Sequence, residues 1–155
     1  MQCRFLTART LLAVVTAGLL AACTPAADFH TDSGGSMRWD DLHGRYVVVN
    51  YFAEWCAPCL KELPELNAFH QQHADQVTLL GVSFDLLDNQ QLQQLRERYQ
   101  IEFPLIQWQP APQLPFAMPK MLPATYIIDP QGNVSGPLLG EQNLHSLRKA
   151  SGLAE

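Results

Sequence analysis

Apolar positions along this chain follow two different periods. From Tyr46 to Phe52 (YVVVNYF) they run almost unbroken and are mostly β-branched or aromatic, which predicts a strand buried on both faces. From about Ala57 to His73 the spacing changes. Leu60, Leu63, Leu66 and Phe69 fall three apart, predicting a helix with one apolar face, and Pro64 inside it should kink it. Val77–Ser83 (VTLLGVS) predicts a second buried strand. Two such strands joined by a helix make a βαβ unit, with parallel strands and a right-handed crossover. Asp88 or Asn89 should cap a helix through Gln90 to Tyr99, with Leu92, Leu95 and Tyr99 on one face. Pro104 stops further helix, and Leu105–Trp108 reads as a short strand. Pro110–Pro119 holds four of the chain's eleven prolines, yet Leu114, Phe116 and Met118 punctuate it, so it reads as an ordered loop. Ala124–Ile128 and Val134–Leu139 predict a hairpin, and a final helix carries Leu144, Leu147 and Leu153. The order β-α-β-α-β-β-α defines an α/β domain whose last two strands are antiparallel.

The start of the chain is of another kind. Arg4 and Arg9 precede an apolar run, Leu11–Ala22, too short for a transmembrane helix and of signal-peptide length. Residues 1–22 are therefore read as a signal peptide outside the fold. Leu20-Ala21-Ala22-Cys23 resembles the lipobox of bacterial lipoproteins, which implies cleavage before Cys23 and lipid on that residue. The alternative is an ordinary secretory signal cut near Ala22. Either places the mature protein outside the cytoplasm. Residues 23–36 then read as the lipidated cysteine and a flexible tether of roughly 40 Å reach. Residues 37–155 are the folded domain, opening with an edge segment from Met37 to Arg45 that turns at His43-Gly44.

Length and charge narrow the possibilities. The 155 residues suffice for one core and not for two. The net charge of −5 becomes −7 once Arg4 and Arg9 are removed. That argues against nucleic acid as a partner and against electrostatic attachment to anionic lipid. Contact with the membrane would rest on the lipid at Cys23.

Of four cysteines, Cys3 leaves with the signal and Cys23 is assigned to lipid. Cys56 and Cys59 remain, so no further pair is left for a structural staple. Two cysteines three apart on the first turn of a helix can approach closely enough for a disulfide. Unpaired N–H groups and the helix dipole there favour a negative charge, so the first thiol should ionise easily. The pair can thus move between dithiol and disulfide.

Around it stands Val49-Asn50-Tyr51-Phe52-Ala53-Glu54-Trp55-Cys56-Ala57-Pro58-Cys59, followed by Lys61-Glu62-Leu63-Pro64-Glu65-Leu66. Later come Gly81-Val82-Ser83-Phe84-Asp85 and Leu122-Pro123-Ala124-Thr125-Tyr126-Ile127-Ile128-Asp129. Four such segments in this order resemble the thioredoxin superfamily, in particular its exported TlpA/ResA-like thiol–disulfide oxidoreductases. The resemblance covers roughly residues 42–152. It implies a thioredoxin-like fold with a central mixed sheet flanked by helices, and it requires no cofactor. Cys56 would be the exposed nucleophile and Cys59 the resolving thiol. Trp55 would shield one side of the site, a role compatible with that of a core aromatic at a strand end. Pro123 would be a cis-proline facing the site, where the backbone around Leu122 receives an extended substrate segment. Glu62, one turn beyond Cys59, would assist proton transfer; the alternative is an exposed acid favoured by the helix dipole. Asn50 occupies the position where cytoplasmic thioredoxins carry a buried acid. Met121 and the proline-rich run depart from the pattern as it is commonly found. Glu54 reads as a surface residue. The histidines form no ligand set, so no metal site is expected.

The function expected from these residues is a lipid-anchored oxidoreductase on the periplasmic side of a bacterial envelope. It would reduce disulfides of selected protein substrates, as in cytochrome c maturation or reduction of metal-site cysteines. A membrane thiol carrier would return the electrons. One alternative is a copper(I) metallochaperone using the thiolates, with Met118 or Met121 as the nearby soft donors. Another is a peroxiredoxin-like peroxidase, against which Glu54-Trp55 stands in place of the expected Thr-x-x-Cys.

Overall fold

The computed structural model describes residues 26–153, so the signal peptide and Cys23 lie outside the described residues. In chain order the elements are β1 (Phe29–His30), β2 (Ser36–Met37), a 3-10 turn (Trp39–Leu42) and β3 (Tyr46–Phe52). Next come α1 (Ala57–His73), β4 (Val77–Ser83), α2 (Asn89–Tyr99) and β5 (Leu105–Ile106). The chain closes with β6 (Ala124–Ile128), β7 (Val134–Leu139) and α3 (Leu144–Ala150). The strands from β3 onward form one mixed sheet in the order β5-β4-β3-β6-β7, flanked by helices, which is the thioredoxin fold. β3, β4 and β5 run parallel, whereas β6 and β7 are antiparallel to their neighbours.

The centre of the sheet follows from residue type. β3 alternates its side chains between two apolar layers. Val48 and Phe52 join Leu63, Leu66 and Phe69 of α1, Leu92 and Leu95 of α2, and Leu147 of α3. Val47, Val49 and Tyr51 join Leu80, Val82, Ile106 and Tyr126 on the other side. Both faces are covered, which is why the strand reads as a continuous apolar run. Gly81 sits where β4 lies between β3 and β5. A Cβ there would come within 2.5 Å of Leu105 Cδ2 and 2.8 Å of Phe103, so a larger residue would force these buried side chains to shift. Asp88 caps α2 through a reciprocal capping box with Gln91, as its position before the apolar period predicts.

Three expectations require correction. The segment read as a flexible tether is folded from Asp28 to Ser36. β1 pairs with β2, Phe29 is buried in the second apolar layer, and Thr31 bridges Ile106 at the sheet edge. Asp32 accepts hydrogen bonds from Arg96 of α2 and from the Leu105 N–H. Small and polar composition suggests disorder only when nothing is buried. Here Phe29 alone contributes about 2 kcal/mol on burial, and the backbone groups find partners at a strand edge. The supposed edge segment from Met37 keeps only that residue in a strand, and Trp39–Leu42 coils into the 3-10 turn, with Trp39 packed on Phe29. Finally, the strand expected over Leu105–Trp108 ends at Ile106, because the Trp108 indole turns to donate to the Ser83 carbonyl.

The proline-rich loop is ordered. Leu114 and Phe116 pack on the second layer, and Phe116 stacks on Tyr126 with ring centroids 4.3 Å apart. With the N-terminal hairpin, it covers the sheet face that the Val48 layer leaves to it.

Candidate active site

β3 delivers its last residues, Tyr51 and Phe52, to the beginning of α1. The turn between them closes with the Cys56 N–H donating to the Ala53 carbonyl at 3.2 Å. Pro58, in the first helical turn, suits a position whose N–H has no helical partner. Cys56 is the N-cap of α1, and its Sγ accepts a hydrogen bond from the Cys59 N–H at 3.3 Å. The helix amide therefore already faces the sulfur that would carry negative charge.

Cys56 and Cys59 are joined as a disulfide with Cα atoms 5.2 Å apart. Cys56 is 5% exposed and Cys59 fully buried, so attack from outside reaches the first sulfur and not the second. The nucleophile expected to be exposed is thus almost wholly covered in the disulfide form.

Trp55 is 65% exposed, which rules out the core-aromatic reading. It is nonetheless held. Its Nε1–H donates to Asp85 Oδ1 at 2.9 Å, and its ring meets Phe84 edge-on at 6.1 Å. Glu54, on the surface as expected, pairs with Arg98 and accepts from the Tyr99 hydroxyl, which ties the turn to α2. Leu122–Pro123 is a cis peptide bond, as are Gln109–Pro110 and Gly136–Pro137. Leu122 packs on the apolar layer that contains both cysteines, and Pro123 is buried at the head of β6. Met118 and Met121 are exposed and line an apolar hollow with Pro119, Pro137 and Leu139.

Glu62 is 2% exposed, so the alternative of a solvated helix-start acid does not hold. It lies on the buried face of α1 with Cys59. Its Oε1 accepts from Asn50 Nδ2 at 2.8 Å, and its Oε2 accepts from the Gln142 N–H at 2.7 Å. Among the described residues no cation reaches it; the nearby Lys61 binds Glu141 at the surface instead. Burial pushes the Glu62 carboxyl up from 4.5 to about 7, although the donors on Gln142 and Asn50 pull it down; the Glu141 charge adds to the rise. A carboxyl poised near neutrality can take up a proton at the pH where a thiol must lose one.

Asp85, Gln142 and Thr125 were not singled out from the sequence as parts of a site. Asp85 and Thr125 belong to segments that carry the resemblance, yet their partners lie 30 and 75 positions away. Gln142 acts through its backbone, which no side-chain pattern reveals. Among the described residues, no group of three or more His, Cys, Asp or Glu is placed to hold a metal ion.

A buried C-x-x-C disulfide at a helix start, set at the end of a central parallel strand, defines a thioredoxin-fold redox protein. The chain belongs to the AhpC/TSA family, matching it over residues 21–136. It is similar to the thioredoxin-like protein YneN of Bacillus subtilis, 26% identical over 110 residues, or 70% of this chain and 64% of the relative. It is also 26% identical over 118 residues to the thiol–disulfide oxidoreductase ResA of Bacillus cereus, covering 74% of this chain and 66% of that one. These matches span slightly less than two thirds of the relatives' length. Among solved structures, StoA from Bacillus subtilis superposes with a TM-score of 0.61 at 20% identity, covering 81% of this chain and 98% of StoA. A DsbF homologue from Corynebacterium diphtheriae gives 0.64 at 25% identity, covering 79% and 80%. The fold is of the ResA/DsbE-like type within the thioredoxin superfamily.

Proposed function

We infer that this protein is an exported thiol–disulfide oxidoreductase that reduces disulfides in selected protein substrates. The observation that carries the reading is the Cys56–Cys59 pair, whose outer sulfur caps a helix while a buried carboxyl of near-neutral proton affinity lies one turn beyond the inner one. In the reduced protein, the Cys56 thiolate attacks one sulfur of a substrate disulfide. A mixed disulfide forms, and the other substrate sulfur leaves as a thiolate that takes a proton. The Cys59 thiol then loses its proton, with Glu62 as acceptor, and attacks Cys56 Sγ. The mixed bond breaks, the second substrate sulfur leaves, and two electrons have passed to the substrate. The dithiol carries them, so the cycle needs no cofactor, but a thiol donor must reduce the pair again.

In this reading Trp55 walls the site and the backbone around Leu122 and Pro123 receives an extended stretch of the substrate. Residues 1–22 direct export, and lipid on Cys23 anchors the protein on the periplasmic side of a bacterial envelope, near a membrane thiol carrier. A related Mycobacterium tuberculosis protein is itself described as secreted, which supports export. With the described chain folded from Asp28 on, the span from Cys23 would reach at most roughly 17 Å and not 40 Å. Cytochrome c maturation or reduction of metal-site cysteines are the substrate contexts that the resemblance suggests.

The test is the reduction potential of the Cys56–Cys59 pair, measured by equilibration against defined thiol buffers. A value near about −270 mV supports a reductant, whereas one near about −120 mV overturns the direction. A peroxiredoxin-like peroxidase is the second reading, against which Glu54-Trp55 stands before Cys56. Rapid peroxide consumption by the reduced protein, unaffected by Cys59→Ser, would establish that second reading instead.

A further inference from the structure

Asn50 lies directly across from Thr125 in the pairing of β3 with β6. Its side chain is fully buried, and its amide nitrogen has two hydrogens to place. One goes to Glu62 Oε1 at 2.8 Å and the other to Thr125 Oγ1 at 3.1 Å. The amide oxygen has no partner among the described residues. An orphaned acceptor at such depth is a cost that packing alone would not retain. Turning the amide over would set its oxygen against a carboxylate oxygen and leave both hydrogens without acceptors. The observed orientation is thus the one that serves Glu62, and the Thr125 hydroxyl selects it by accepting the second hydrogen.

We propose that Asn50 is a positioning residue for proton transfer, and that Thr125 orients it: together they aim a neutral, non-titrating N–H at Glu62 and hold its carboxylate available as an acceptor. The neutrality of the amide matters. An acid at this position would share or compete for the proton, whereas an amide leaves a single protonation site. The surroundings contain few other charges. β3 and β6 contribute only Asn50 and Thr125. The segment before α3 contributes the Gln142 N–H and Glu141, whose charge is paired with Lys61. On α1 itself, Cys56 and Cys59 do not titrate while joined, and Glu65 is engaged by the Leu144 N–H.

The inference deepens the proposed role of Glu62, and its test separates the two. The titration of Glu62 is followed by carboxyl-carbon NMR in the oxidised protein, with Glu62→Gln identifying the signal. Removing the donor with Asn50→Leu should raise the proton affinity of Glu62 about tenfold, moving its midpoint about one pH unit upward. Thr125→Val should move it the same way by less, because the amide loses its orientation and not its hydrogens. Thr125→Ser should restore the original midpoint. If Asn50→Leu does not fold, Thr125→Val against Thr125→Ser carries the test. An unchanged midpoint in these variants overturns the inference. The pH profile of disulfide reduction is measured on the same proteins. If Glu62 shifts and the profile does not, the assignment of Glu62 as proton acceptor falls while the positioning of its carboxyl stands. A uniform loss of rate at every pH with no shift shows a merely structural role for Asn50.

Discussion

Two carboxylates buried among the described residues, Asp32 and Glu62, have different surroundings. Asp32, in the N-terminal segment, meets the guanidinium of Arg96 and the Leu105 N–H, and Arg96 also donates to the Phe103 carbonyl at 2.6 Å. Glu62, beside the disulfide, meets only an amide and a backbone N–H. The first carboxylate has a fixed positive charge as partner and holds two parts of the chain together. The second has hydrogen bonds without a compensating charge, so a proton can serve as its neutraliser. Depth of burial is similar; what separates a clasp from a proton site is whether the partner is a cation.

The largest effect should come from the sulfurs that lie beside Glu62. Cys59→Ser should abolish multiple turnover and accumulate a mixed disulfide between Cys56 and substrate, visible on non-reducing gels. Cys56→Ser should abolish turnover without any trapped species, since Cys59 is shielded.

Breaking the clasp should cost stability and not chemistry. Arg96→Ala leaves the Asp32 carboxylate buried without its cation, so stability should fall by about 3 kcal/mol in urea unfolding. The reduction potential of the folded variant should stay unchanged. Little loss of stability would mean that water replaces the guanidinium, and the contrast between the two carboxylates would weaken.

The proton site should reveal itself in the pH dependence of stability. Between about 4.5 and about 7 the folded protein holds a proton on Glu62 that the unfolded chain has released. The Glu62 contribution is therefore greatest below this window, declines as pH rises through it, and stays low above. Glu62→Gln should remove that slope, an effect on the order of 3 kcal/mol across the window, read from urea midpoints at several pH values. An identical slope in both proteins would show that Glu62 ionises like an exposed acid.

The smallest effect concerns Trp55, whose indole is held at the surface. Asp85→Ala removes an exposed hydrogen bond of about 1 kcal/mol. It should raise KM for a protein disulfide a few-fold with little change in kcat or in reduction potential. An equal fall in kcat would place Asp85 nearer the chemistry than its contacts do.

Much of this was legible along the chain because it depends on local pattern. The unbroken apolar run at Tyr46–Phe52, the three-residue spacing after Cys56, and Asp88 before an amphipathic stretch all dictate their elements through backbone geometry and one-sided burial. The C-x-x-C pair was readable for the same reason, since three residues on a helix's first turn bring two sulfurs together. The sequence by itself determined these elements and the redox pair. Tertiary structure alone decided that Phe29 pulls an apparently polar tether onto the sheet, that Trp55 projects outward onto Asp85, and that Glu62 is buried. It also joined Asn50 to Thr125 across two strands and brought the Gln142 N–H to a helix eighty residues earlier. The physical reason is that the state of a polar group depends on solvent access and on partners brought in from elsewhere in the chain. Neither is encoded in the spacing of its immediate neighbours.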